Sequence, residues 1–114
     1  KSRREQYLGR TPGKNSRTGK GVQERMRKEG TLKDGPEGPI FKASDGEWYS
    51  LRDADMSHKT DAVKWWNAEG RKYGAKSQEV RDWMLDSKNY TLEHYSKNRS
   101  EGARLPDRYK APLK

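Results

Sequence analysis

The 114-residue chain contains no cysteine. Its fold therefore needs no disulfide, is compatible with a reducing or an oxidising compartment, and cannot hold a thiolate-ligated zinc ion. No apolar run approaches membrane-spanning length and no signal peptide is visible, so no membrane is expected among the partners. Hydrophobic residues are scarce, at 28% against 38% charged. A core built from so little is small, and much of the chain must lie across its surface. There is no internal repeat and no coiled-coil heptad. Histidine occurs only twice, at His58 and His94. The chain begins at Lys1 rather than Met, which reads as a piece cut from something longer.

What is present is unevenly placed. Four Trp, six Tyr and several Leu, Met and Val fall mainly between Phe41 and Tyr95. That central part reads as foldable, whereas the first thirty-odd residues read as marginal alone. The net charge of +9 is also uneven. Residues 1–33 carry eleven basic and three acidic side chains, residues 34–97 ten and twelve, and residues 98–114 five and two. Basic ends flanking a nearly neutral middle either suit a polyanion, through counterion release, or serve solubility alone.

The length is that of one domain, and the pattern of elements predicts an α+β fold. Residues 1–33 form a basic arm whose one regular piece is a short helix from Lys20 to Glu29, capped by Thr18 and ended by Gly30. Arg25, Arg27 and Lys28 on that helix are either a solvated face or phosphate contacts. Asp34–Pro39 reads as a turn-filled connector. Residues 39–58 supply short strands at Ile40–Lys42 and Glu47–Leu51 around Asp45-Gly46, leading into Asp55-Met56-Ser57-His58. Residues 60–88 form a helical insert, with helices over Asp61–Tyr73 and Gln78–Ser87, the second capped by Ser77. Core packing accounts for Val63, Trp66, Val80, Trp83 and Met84, with base stacking by the tryptophans as the alternative. Residues 89–105 give a strand over Tyr90–His94 and a helix starting near Asn98. Residues 106–114 are an irregular basic tail.

The chemistry concentrates in two stretches, around His58 and around Asn98. Phosphodiester hydrolysis needs an activated water and a counter-charge for the developing oxyanion. A neutral imidazole can take the proton near neutral pH. A hard divalent cation with oxygen ligands can supply the charge while keeping several waters. His58 lies in a polar stretch with Asp55, Ser57, Lys59 and Asp61. Asn98 offers a neutral oxygen donor, or else a helix cap, and Glu101 follows one helical turn later. Asp55 reaches the same ion only if the chain turns at Met56-Ser57, since strand residues three apart face opposite ways. Arg99 is the candidate for gripping the scissile phosphate.

In order, Asp55-Met56-Ser57-His58, a helical insert, Tyr90 with Leu92-Glu93, and Asn98-Arg99-Ser100 resemble the ββα-metal nucleases of the HNH/endonuclease VII superfamily. Within these, the chain is most similar to the polymorphic-toxin branch named for Gly-His-Glu residues. The resemblance spans roughly residues 47–103. It implies a ββα-metal core of hairpin plus helix, His58 as general base and Asn98 as a metal ligand. Taken with the residues themselves, Asp55 or Glu101 is the further ligand, Arg99 and Glu101 join His58 as catalytic residues, and the ion is Mg²⁺ or another divalent such as Mn²⁺, Zn²⁺ or Ni²⁺. Lys59, Arg25 and Arg27 are then phosphate-binding. The substrate it implies is DNA, with RNA as the alternative, and no small-molecule cofactor is expected. It further implies a toxin domain delivered by a bacterium into a target cell, and an acidic immunity protein as partner. Ser57 replaces the family's Gly, and Glu101 stands where the family often has His. A non-catalytic basic module that only binds nucleic acid remains the competing expectation.

Overall fold

The computed structural model describes residues 2–114; Lys1, the first residue of the expected arm, lies outside them. The fold is α+β. Helix α1 spans Arg3–Tyr7 and α2 spans Arg17–Glu29. Strands β1 (Leu32–Gly35), β2 (Gly38–Lys42) and β3 (Trp48–Ser50) make an antiparallel sheet in that order. Strand β4 (Ala54–His58) leads into helices α3 (Ala62–Ala68) and α4 (Gln78–Leu85). Strand β5 (Tyr90–His94) then pairs antiparallel with β4, from Ala54↔His94 to His58↔Tyr90. Helix α5 (Tyr95–Arg104) follows without a gap and packs on both strands.

Several expectations are corrected. The first helix begins three residues earlier than the expected Lys20, because Ser16 rather than Thr18 caps it, accepting from the Gly19 amide at 3.1 Å. Thr18 instead lies inside the helix, buried, with its hydroxyl donating to the Leu85 carbonyl at 2.7 Å. Gly30 ends the helix in the left-handed region (φ 81°), as expected. The Asp34–Pro39 connector is a hairpin: Gly35 pairs with Gly38 across a two-residue Pro36-Glu37 turn, and Pro39 opposes Asp34. Proline presets the turn and the flanking glycines give it room, so residues that read as breakers close a sheet. The Asp61–Tyr73 helix stops at Ala68, and a 3-10 turn over Gly70–Lys72 finishes the stretch. The hairpin around Asp45-Gly46 and the strand Tyr90–His94 lie where expected.

Two apolar clusters hold the molecule. The first gathers Val22 and Met26 of α2, Leu32, Phe41 and Ala43 from the three-stranded sheet and its edge, and Ala54, Met56, Tyr90 and Leu92 of the β4–β5 pair. The second gathers Leu8, Ala62, Trp66, Val80 and Met84, flanked by Tyr7, Trp65, Trp83 and Tyr109. Tyr90 links them, since its buried hydroxyl donates to the Met84 carbonyl at 2.6 Å. Leu8 and Tyr7 mean that the expected arm is not loose: Tyr7 stacks on Trp66 at 4.9 Å. The tail is irregular but docked. The Trp66 indole N–H donates to the Lys110 carbonyl at 2.7 Å, and Asn67 exchanges hydrogen bonds with Arg108 and Lys110. No helix among the described residues is long and apolar enough to cross a membrane.

Candidate functional site: the cleft between the β4–β5 pair and α5

Because α5 springs directly from β5, its first turn is set against β4. His94 is its N-cap, with Nδ1 accepting from the Ser96 amide at 3.2 Å. Asn98 is therefore inside the helix and does not cap it. Asn98, Glu101, Gly102 and Leu105 follow the helical spacing and line one cleft of about 510 Å³. Met56, Ser57 and His58 of β4 line the facing wall, with Lys59 and Asp61 beyond them. A second lobe adjoins it, walled by Asp55 and by Thr11, Pro12, Gly13 and Lys14. Arg4, Met56 and Asn98 belong to both lobes.

Asp55 meets α5 directly. Its carboxylate accepts from Arg99 Nε at 3.1 Å and Nη2 at 3.4 Å, and from Asn98 Nδ2 at 3.5 Å. Strand β4 pairs continuously through Met56 and Ser57, so the turn that would have swung Asp55 round to His58 is absent. The two side chains accordingly serve different lobes, and Asn98 stands between them. Glu101 lines the His58 lobe and pairs with Lys97 at 3.8 Å.

His58 is half-buried in an aromatic ladder. Its ring stacks on Trp83 at 5.3 Å and 8°, Trp83 stacks on Trp65 at 4.2 Å and 5°, and the Tyr90 ring lies tilted by 46° against the imidazole at 4.5 Å. Nε2 is buried with no hydrogen-bond partner, and the residue lines the cleft. Burial, and secondarily the positive charge of Arg4, depress the imidazole from 6.5 to about 4. It is thus uncharged at neutral pH.

Other sequence candidates are spent elsewhere. Arg25 donates to the carbonyls of Ser87 at 2.7 Å and of Tyr90, tying α2 to β5. Arg27 pairs with Asp34 at 3.0 Å. Neither lines the cleft, so the structure does not bring these two to His58. Lys59 does line it, and Arg99 is engaged with Asp55 at its edge.

No family model, curated protein or solved structure matches the chain.

Sequence reasoning missed Arg4 and Lys14. Lys14 Nζ donates to the Arg52 and Ala54 carbonyls at 2.9 and 3.2 Å, fastening the N-terminal segment along β4. The one available signal was Tyr7-Leu8, an apolar pair in a polar stretch whose burial pulls Arg4 inward. Across both lobes, Asp55, Asp61, Glu101 and Asp107 outnumber Arg4, Lys14 and Lys59. Arg99, paired with Asp55 at the edge, brings the two signs level. Among the described residues no three His, Asp or Glu side chains converge on one point. Asn98 meets the Asp55 carboxylate through its amide N–H.

Proposed function

We propose that the chain is a divalent-metal-dependent nuclease with a ββα-metal core formed by β4, β5 and α5, acting on DNA. One observation carries this reading: Asn98 touches the Asp55 carboxylate and lines the same cleft as His58. These are the residue types the chemistry requires, drawn from chain positions some forty apart.

The donor set suits a hard cation. Asp55 and Asn98 would hold it, with Glu101 as a further carboxylate and water completing the shell. When bound, it supplies the counter-charge for the oxyanion and the leaving oxygen. The carboxylates of Asp55, Asp61, Glu101 and Asp107 along the cleft favour a cation there.

His58 is the proton acceptor. The stack on Trp83 and Tyr90 fixes the ring plane, and neutrality at pH 7 leaves a lone pair free. For Nδ1 to accept, Nε2 must carry the ring hydrogen. A group titrating near 4 is a feeble base. An arriving phosphate places negative charge beside the ring and raises its proton affinity. Lys59 is a nearby cation suited to phosphate, and Arg99 would become one if a bound ion drew Asp55 away from its fork. The resemblance extends the proposal to a bacterial toxin domain held in check by an acidic partner protein, and leaves RNA as a second substrate.

A non-catalytic nucleic-acid-binding module is favoured by one feature, the packing of His58 among aromatic rings. Plasmid DNA incubated with Mg²⁺ and with EDTA separates the readings. The nuclease nicks only with Mg²⁺, and His58→Ala, folded by circular dichroism, loses at least about a hundredfold in rate. Nicking by that variant at the wild-type rate refutes the assignment.

A further inference from the structure

We propose that Arg4 is the phosphate-gripping residue of this cleft, carried into it by the folded N-terminal segment. The inference rests on the cleft being a phosphodiester site and adds a residue that the β4–β5–α5 unit does not contain.

Arg4 is placed by three independent anchors. Leu8, four residues on, is buried in the second cluster, and Tyr7 stacks on Trp66. Lys14 pins the far end of the segment to the Ala54 carbonyl at the start of β4 and to the Arg52 carbonyl just before it. Arg4, one helical turn before Leu8, donates from Nη2 to the Thr11 hydroxyl, which sets the direction of the guanidinium. The result is a half-buried cation that faces both lobes, opposite Asn98.

Its charge is uncommitted. Arg25, Arg27 and Arg99 each pair with a carboxylate, but no carboxylate pairs with Arg4 among the described residues. An unpaired guanidinium in a concave wall keeps its remaining N–H donors and its field for an incoming anion. That field already reaches His58, Tyr90 and Tyr109, all of which it pushes towards lower pKa. A phosphate seated on Arg4 would therefore lie within electrostatic reach of the imidazole. Burial is the main cause of the lowered His58 pKa, and neutralising the guanidinium removes the second, so binding and the readiness of the base are coupled.

The test is fluorescence anisotropy of the intact chain with a short DNA duplex in EDTA, across a salt series, so that binding is read without cleavage. Arg4→Gln is expected to weaken binding about ten- to a hundredfold and to reduce the slope of log affinity against log salt by about 0.9. Arg4→Lys retains the slope because the charge remains. Thr11→Val, which removes the anchor and not the cation, also keeps it. Arg4→Gln binding with wild-type affinity and slope overturns the proposal. So does an equal loss of slope in Thr11→Val, which would make Arg4 a structural tie. If Arg4→Gln does not fold, a lost slope in Arg4→Lys overturns it. Because cleavage is never measured here, failure of the nuclease reading and failure of the Arg4 assignment show up in different experiments.

Discussion

His58 is the residue whose environment is most at odds with solvent. Its folded pKa of about 4 lies below the ordinary 6.5, so the unfolded chain binds more protons in the interval between them. Stability contributed by burying the neutral ring is complete above about 6.5 and is lost as pH falls through 4, to a total of about 3 kcal/mol. His58→Phe keeps a ring on Trp83 and cannot titrate. Urea melts are expected to show wild type losing more stability than the variant between neutral pH and pH 4. Parallel curves for the two proteins would mean that the ring is not buried as described. The unpartnered Nε2 adds to the cost of holding this side chain where it is. Residue identity made His58 conspicuous in the sequence, as one of only two histidines. Its aromatic setting was not legible there, because Trp83 and Tyr90 approach it only after the insert has folded back.

At the scale of elements, local signals that act within a few residues were readable. Ser77 caps α4, accepting from the Val80 amide at 3.4 Å, and Tyr90–His94 forms β5 as its alternation indicates. Signals that depend on a partner were not. Strand β1 exists because β2 is there to pair with it. Helix α5 begins at Tyr95, not Asn98, because His94 can reach the Ser96 amide. The docking of α3 onto α4 depends on a missing side chain. A Cβ on Gly70 would stand 2.5 Å from Trp65 Cζ3, and Trp65 is the outer rung of the ladder ending at His58. Gly70→Ala is expected to cost about 1–3 kcal/mol by forcing that ring aside. The displacement should register as a shift of the His58 ring signals in NMR spectra. Gly102→Ala, with nothing within 4 Å of its added carbon, is expected to gain up to about 1 kcal/mol of helix propensity. Unchanged His58 signals in Gly70→Ala would disconnect the ladder from the site.

The whole molecule is elongated, 50 × 27 × 22 Å, with a radius of gyration of 14.9 Å. A chain of this length packed around one centre would have about 13 Å. Two cores side by side account for the difference, joined through β5 and the Tyr90–Met84 hydrogen bond. The sequence indicated a small central core, and it had no means of showing that both ends of the chain finish the second one. Leu8 is 3% exposed, and Tyr109 packs against the same cluster. Deleting residues 1–10 is therefore expected to lower stability by at least the roughly 2–5 kcal/mol of a buried leucine. Thermal melts read this directly, and a shortened chain as stable as the full one would return the segment to the status of a loose arm.

The recess shaped by β4 and α5 sets acidic and basic side chains side by side, on a chain whose net charge is +9. If the proposed function holds, that charge draws a polyanion in from a distance while the carboxylates of the recess call for a cation. Adhesion and any reaction thus answer to different solutes. Added potassium chloride should loosen the grip everywhere, Arg4 in the recess included, whereas depleting small multivalent ions should halt any cleavage and leave a strand bound.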